Sequence, residues 1–231
     1  METNFSDSLL WYIVFLYSTV CHEAGHAWTA LRLGDRTAYE GGQVSLDPLP
    51  HIRREPFGMV VVPLLSFLVG GWMVGWASAP FDPRWALQYP KRSAVMALAG
   101  PAVNLCLVLL AALALRAGME AHVWAEPIHS SPAHLADPMA DGLYPWLAKL
   151  LSIVFSLNLL LAIFNLLPLP SLDGSSFPLL FLPDGLARSY LTAIWNPSVR
   201  FLGLFLAWQG FRFIFDPIRQ LAVQALYQGA G

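Results

Sequence analysis

Apolar positions along this chain of 231 residues gather into long blocks, not into the alternating or three-to-four-spaced stripes of a half-buried surface. The blocks run from Leu9 to Leu31, Phe57 to Ala79, Ser93 to Leu115 and Leu150 to Leu167; a fifth, from Phe201 to Phe215, is interrupted by Gln209 and Arg212. The second and third contain no charged residue over 23 positions each. As helix, at about 1.5 Å per residue, such a block crosses the roughly 30 Å of hydrocarbon in a bilayer. Beyond the fifth block, Ile218, Leu221, Ala222 and Ala225 recur at helical spacing, the pattern of an interfacial helix. The blocks predict an all-α polytopic membrane protein of one domain, residues 1–231, with about four to five transmembrane helices and C-terminal membrane or interfacial helices over about 187–228. Arg36 to Leu46, between Gly34 and Pro48, reads as a short strand or hairpin, and the Pro-rich, polar stretch 126–145 as a loop.

Composition agrees with the blocks. Hydrophobic residues make up 56% of the chain and charged residues 12%, against roughly 25% charged in a soluble domain. Mean hydropathy is +0.54. Thirteen Lys and Arg against 15 Asp and Glu leave a formal charge of −2 and no basic stripe for phosphates, so nucleic acid is not an expected partner and the lipid bilayer is. The N-terminus carries Glu2 and Asp7 but no basic residue, unlike a cleaved signal, so the first block is read as permanent. Residues 32–92 hold seven basic side chains, whereas 117–148 hold none. Short loops rich in Lys and Arg stay in the cytoplasm, which places 32–56 and 80–92 inside and the 117–148 loop outside. Cys21 and Cys106 lie in apolar surroundings without Cys-x-x-Cys spacing, and indicate neither a disulfide framework nor a cysteine zinc site.

Candidate chemistry sits inside the first block, in Cys21-His22-Glu23-Ala24-Gly25-His26. Histidines at i and i+4 share a helix face, so two imidazoles reach one metal ion, and the glutamate beside the first is placed to handle the proton of a water held there. Ionisable groups within a membrane helix cost at least about 2.5 kcal/mol near its centre when charged, and are normally functional. The competing readings are a polar cluster joining helices and part of an ion pathway. A catalytic zinc needs three protein ligands and an open position, so a third must come from elsewhere. Asp173 is the best candidate, because the fourth block ends at Pro168 and Pro170 and Gly174 follows the acid. An Asp-Gly at a helix end is, taken alone, more often just a turn.

His22-Glu23-x-x-His26, Gly100-Pro101 with Asn104, and Asn165-x-x-Pro168-x-Pro170-x-x-Asp173-Gly174 together resemble the site-2 protease family of intramembrane zinc metalloproteases. The likeness covers a core of about residues 9–180. It implies one Zn²⁺ per chain held by His22, His26 and Asp173, with Glu23 as the catalytic acid/base and Asn165 engaging substrate. It also implies membrane-anchored protein substrates hydrolysed in or near their transmembrane segments, in a multi-pass protein of the bacterial inner membrane. The stretches Val44 to Ile52 and Gly75 to Pro83 resemble the compact bacterial subgroup without extra domains. That subgroup usually has Asn at the place of Asp47 and Asp-Pro at that of Arg53-Arg54. Asn104 and Asn165 either donate to a developing oxyanion or hold an extended substrate, or else bridge helices.

Depth adds a constraint. His22 lies 13 residues into the first block, about 20 Å along a helix, which puts zinc about 10 Å from the cytoplasmic edge. Asp173 reaches the same side only if one full span, Ser93 to Leu115, intervenes, so Phe57 to Ala79 is expected to be re-entrant. Gly58, Pro63, Gly70, Gly71 and Gly75 favour that course, as do basic residues on both flanks. His51 either approaches the site from its loop or is a solvated histidine, the commoner case. His122, His129 and His134 are expected at the outer surface, and Cys21 in packing. A carrier or an inactive scaffold reusing the same polar cluster is the alternative function; a carrier would be expected to show paired broken helices in two halves, and no such repeat is visible.

Overall fold

The computed structural model describes residues 5–70 and 72–228, so Glu2 and Gly71 of the sequence reading lie outside the described residues. Helix α1 (Phe5–Leu33) stops where Gly34 takes a left-handed φ of 107°. The Gly34 and Asp35 amides turn back to the carbonyls of Leu31 and Ala30, satisfying the last turn. Asp35 then accepts from the Thr37 amide and hydroxyl at 2.9 and 2.6 Å, which starts the helical turn α2 (Thr37–Glu40). The expected strand at 36–46 is therefore absent from the described residues. Its place is taken by this capped turn and by Gly41-Gly42, with Gly42 at positive φ, in a segment with few β-branched residues. Helix α3 (Pro48–Arg54) follows, with Asp47 accepting from the Leu49 amide at 2.9 Å and Pro48 in its first turn.

The second apolar block does not run through the bundle. A π-helical turn (Phe57–Val61) leads into α4 (Val62–Gly70), and residues 72–82 return without regular secondary structure. The Trp76 amide donates to the Gly58 carbonyl at 3.1 Å, the Val74 amide to Ser66 Oγ at 2.9 Å, and the Ser78 hydroxyl to Glu55 at 2.6 Å. Two glycines permit so close a return: a Cβ on Gly58 would overlap the Trp76 carbonyl, and one on Gly75 the Gly58 carbonyl. The Asp82 amide then meets Asp35 at 2.8 Å, so the hairpin leaves at the end of the bundle where it entered.

After α5 (Pro83–Gln88), α6 (Pro90–Glu120) starts at that same end, where Arg92 reaches the Leu33 carbonyl, and runs to the opposite one. There the expected loop carries two short antiparallel strands, β1 (Trp124–Ala125) and β2 (Asp137–Pro138). They form because Trp124 is anchored against Gly118 and donates to the Leu115 carbonyl at 2.7 Å, while Leu135 is fully buried with its amide on Ser152. Helix α7 (Tyr144–Leu166) returns, with Lys149 on Asp7 of α1 at 2.8 Å. A 3-10 segment (Asp173–Leu180) and α8 (Asp184–Ile194) lie at the first end, where Arg188 bonds the Leu87 carbonyl. Helix α9 (Pro197–Tyr227), capped by Asn196, then runs back until the Tyr227 hydroxyl meets the Leu135 carbonyl at 3.1 Å. It is one continuous helix through Pro217, where a span and a separate interfacial helix were expected.

The protein is mostly helical, and α6 and α7 are long and apolar enough to cross a membrane. The α1 and α9 helices are of similar length but less apolar. Side chains such as Leu109, Leu110 and Leu113 on α6 and Phe201 and Phe213 on α9 point outwards, a surface suited to lipid more than to water. Phe15 of α1, Met73 of the returning chain and Ile153 and Leu157 of α7 are fully buried together, which ties the hairpin to the two helices beside it.

The hairpin makes a topological prediction. In a background lacking Cys21 and Cys106, single cysteines placed at residues 40 and 88 should react with an impermeant reagent from one side of the membrane, and one at 130 from the other. Labelling of residues 40 and 88 from opposite sides would mean that 57–79 crosses fully.

Candidate metal centre

Spacing of four residues on α1 puts the His22 and His26 rings 4.6 Å apart with their Nε2 atoms 3.0 Å from each other. Both face α6 where it is narrowest. A Cβ on Gly100 would run into the Nε2 atoms of both imidazoles, and one on Gly25 would crowd Val103 and the Ala99 carbonyl. Glycine at these two positions lets the helices approach and leaves room in front of the rings.

Asp173 arrives from the far side. Pro168 and Pro170 end α7, and the chain tightens through bonds from the Leu169 amide to Leu167 and from the Leu172 amide to Leu169, with Ser171 at a φ of 86°. A left-handed residue other than glycine costs about 1–2 kcal/mol, so the turn is held by its surroundings. Gly174 packs on the Leu166 and Leu167 carbonyls with no space for a side chain, and Gly203 of α9 packs likewise on Pro170. The Tyr190 hydroxyl of α8 donates to the Ser175 carbonyl at 2.8 Å. The turn so fixed places Asp173 Oδ2 3.2 Å from His22 Nε2 and 3.4 Å from His26 Nε2.

Protons around the cluster are assigned by its neighbours. His26 Nδ1 is 2.8 Å from the Met96 carbonyl, which only accepts, so this nitrogen carries the ring proton. His22 Nδ1 is 2.5 Å from Asn104 Oδ1, again an acceptor. In the neutral rings both Nε2 atoms then present lone pairs. Asp173 Oδ2 is buried and receives no hydrogen bond although two ring nitrogens lie within 3.4 Å of it. Two imidazole lone pairs and a carboxylate oxygen this close repel unless a proton or a cation lies between them, and a metal cation satisfies all three at once. A tetrahedral zinc with bonds of about 2.0–2.1 Å separates its ligand atoms by about 3.3 Å. Separations of 3.0, 3.2 and 3.4 Å fit that group, and an imidazole–imidazole–carboxylate set is zinc chemistry. Glu23, also buried, brings an oxygen within 4.8 Å of both imidazoles.

All four residues border a cavity of about 1840 Å³, which also touches Thr19, Asn165 and the returning chain at 72–79. Asn165 is half-buried there, its amide donating to the Leu161 carbonyl at 3.0 Å. Asn104, considered at the sequence level for the substrate, does not line the cavity: it is fully buried behind His22, with Oδ1 on the ring and Nδ2 on Asn158 at 2.8 Å. His51 is fully buried against the Ser45 carbonyl, not solvated, and lies apart from the cluster. His122 and His129 are exposed and His134 pairs at the surface with Asp137 at 2.7 Å, as expected. Sequence reasoning passed over Asn158, Ser18 and the Met96 carbonyl. Asn158 stands seven residues, two helical turns, before Asn165, and that repeat of an amide on one face of an apolar block was the available signal.

Comparison with known proteins places the chain in a family. The profile described as Peptidase family M50 matches residues 10–206, and the chain belongs to that family, the site-2 protease family. It is 31% identical over 201 residues to the Bacillus subtilis (strain 168) protein named "Putative zinc metalloprotease YwhC", covering 86% of this chain and 81% of the relative. It is 33% identical over 161 residues to the Mycobacterium tuberculosis protein named "Putative zinc metalloprotease Rip2", covering 69% of this chain. Of Rip2 the chain spans about half, 52%. No solved structure gives a significant match.

The cradle in front of the rings is testable. Gly100→Ala should abolish metal binding, lowering zinc per chain at least about tenfold, because its methyl group overlaps both Nε2 atoms. Elemental analysis of purified protein checks this, with circular dichroism to show that the helices persist. Undiminished zinc in the variant would place the metal elsewhere.

Proposed function

We propose that the chain is an intramembrane zinc metalloprotease that hydrolyses peptide bonds in or near transmembrane segments of membrane-anchored proteins. The convergence of His22 Nε2, His26 Nε2 and Asp173 Oδ2 on one point at the wall of a large cavity carries this reading. These three residues hold one zinc ion, and Glu23 is the catalytic acid/base. Zinc bound there supplies a Lewis acid for the scissile carbonyl and makes a water more acidic. Glu23 takes a proton from the attacking water and delivers it to the departing amine nitrogen, for which a buried carboxylate beside the two imidazoles is well placed. The Asn165 side chain at the cavity wall meets the substrate, which must be extended there, since a helical carbonyl is already hydrogen-bonded and shielded.

The end of the bundle that carries Asp35, the hairpin mouth and α8 also bears the basic residues Arg53, Arg54, Arg84, Lys91 and Arg92, which supports a cytoplasmic position for it and for the nearby site. The bacterial cell membrane is the matching location. A non-enzymatic carrier or scaffold would use the same polar cluster without needing Glu23 as a base.

Glu23→Gln separates these readings, because the amide keeps the shape but cannot take a proton. Zinc content should stay near one per chain, while cleavage of a single-span model substrate falls by at least about 10²-fold, the usual scale of general-base catalysis. Unchanged cleavage by the zinc-loaded variant, or no cleavage by the zinc-loaded wild type, would defeat the proposal.

A further inference from the structure

Behind His22 lies a hydrogen-bond chain that crosses three helices and is shut off from the cavity. Asn104 on α6 accepts from the ring at Oδ1 and donates through Nδ2 to Asn158 Oδ1 on α7 at 2.8 Å. Asn158 Nδ2 donates to Ser18 Oγ of α1 at 2.9 Å and to the Val154 carbonyl, one turn back on α7, at 2.8 Å. Asn104 and Asn158 are fully buried and Ser18 is nearly so. A buried amide on α7 that touches neither the cavity nor a proposed ligand needs a reason beyond packing.

The reason is direction. A side-chain amide can be turned end for end, and the Ser18 carbonyl that Asn104 Nδ2 meets at 3.5 Å lies at the limit of a hydrogen bond, so it biases Asn104 only weakly. The Val154 carbonyl breaks the symmetry because it can only accept, and this holds Asn158 Nδ2 on that side and Asn158 Oδ1 towards Asn104. Asn104 must then present Nδ2 to Asn158 and Oδ1 to the ring. Reversing Asn104 would set oxygen against oxygen, and reversing Asn158 as well would set its oxygen against the Val154 carbonyl. We infer that Asn158 is a positioning residue for His22: anchored by Val154 and Ser18, it fixes the polarity of Asn104, which keeps the imidazole proton on Nδ1 and leaves Nε2 bare for the metal. The inference rests on the reading of His22 as a zinc ligand.

Groups that orient a ligating histidine typically change metal affinity by about 10–100-fold when removed. Asn158→Leu, close in size but unable to bond Asn104, should weaken zinc binding by that factor in the full-length protein, measured by chelator competition in detergent. Asn158→Asp should stay within about threefold of wild type: a carboxyl so deeply buried is neutral, its hydroxyl donates to Val154 and its carbonyl oxygen accepts from Asn104. Leu157→Ala, which disturbs the same stretch of α7 without touching the chain, should also stay within about threefold. If the Asn158→Leu chain does not fold, Asn158→Ser, too short to reach Asn104, is read in the same way. Nitrogen NMR of the zinc-free wild type should show His22 protonated at Nδ1, and that preference should be lost in Asn158→Leu. Full affinity in Asn158→Leu, equal losses in Asn158→Leu and Asn158→Asp, or a loss in Leu157→Ala as large as in Asn158→Leu would each overturn the inference. Wild-type protein that binds no zinc would instead overturn the reading of the site itself.

Discussion

Three buried acceptor atoms, His22 Nε2, His26 Nε2 and Asp173 Oδ2, stand within 3.4 Å of one another, a spacing that repels unless a cation or a proton lies between them. Left alone such a cluster would spread apart, and much of the fold is arranged to prevent it. Gly25 and Gly100 draw α6 against α1, Gly174 presses the Asp173 turn onto the end of α7, and Gly203 brings α9 down on Pro170. Each contact would be lost to a single methyl group. Inside a bilayer, apolar burial drives helices together only weakly, so close packing of small residues and internal polar bonds must supply the cohesion. Here the same small residues that make the helices pack also leave space in front of the imidazoles.

Polarity is handled in two layers. Facing the cavity are groups with free lone pairs, and behind them are groups that donate or accept in one direction only. The Met96 carbonyl settles His26 in a single bond, because a carbonyl cannot be reversed. His22 Nδ1 meets Asn104 instead, whose direction is set by Asn158 on the Val154 carbonyl and, more weakly, by the Ser18 carbonyl at 3.5 Å. The two histidines of one motif thus reach the same protonation pattern by different routes. Both routes draw their direction from α-helical backbone, the one group in the bundle whose orientation is not negotiable.

That His22, His26 and Asp173 come together could be read in the sequence, since His22 and His26 are spaced for one helix face and Asp173 follows the prolines that must end α7. So could the reversal of residues 57–79, because parity would otherwise have left Asp173 at the wrong end. What escaped were features set by partners distant in sequence. The strand expected at 36–46 gave way to a helical turn because Asp35 caps it while also holding Asp82. His51 looked like a loop residue, yet it is buried. Asn104 carried a role at the substrate until the structure showed both ends of its amide already engaged. A side chain's type suggests what it can bond; only packing decides which partner takes the bond.

The central claim is that two imidazoles and one carboxylate, from segments far apart in the chain, share one zinc ion. X-ray absorption at the zinc edge of the purified protein tests it most directly. The account predicts a shell of nitrogen and oxygen donors at about 2.0–2.1 Å, with the outer-shell scattering of two imidazoles and no sulfur, and loss of one oxygen donor in Asp173→Ala. A sulfur shell at about 2.3 Å, which would implicate Cys21, or an unchanged spectrum in Asp173→Ala, would contradict it.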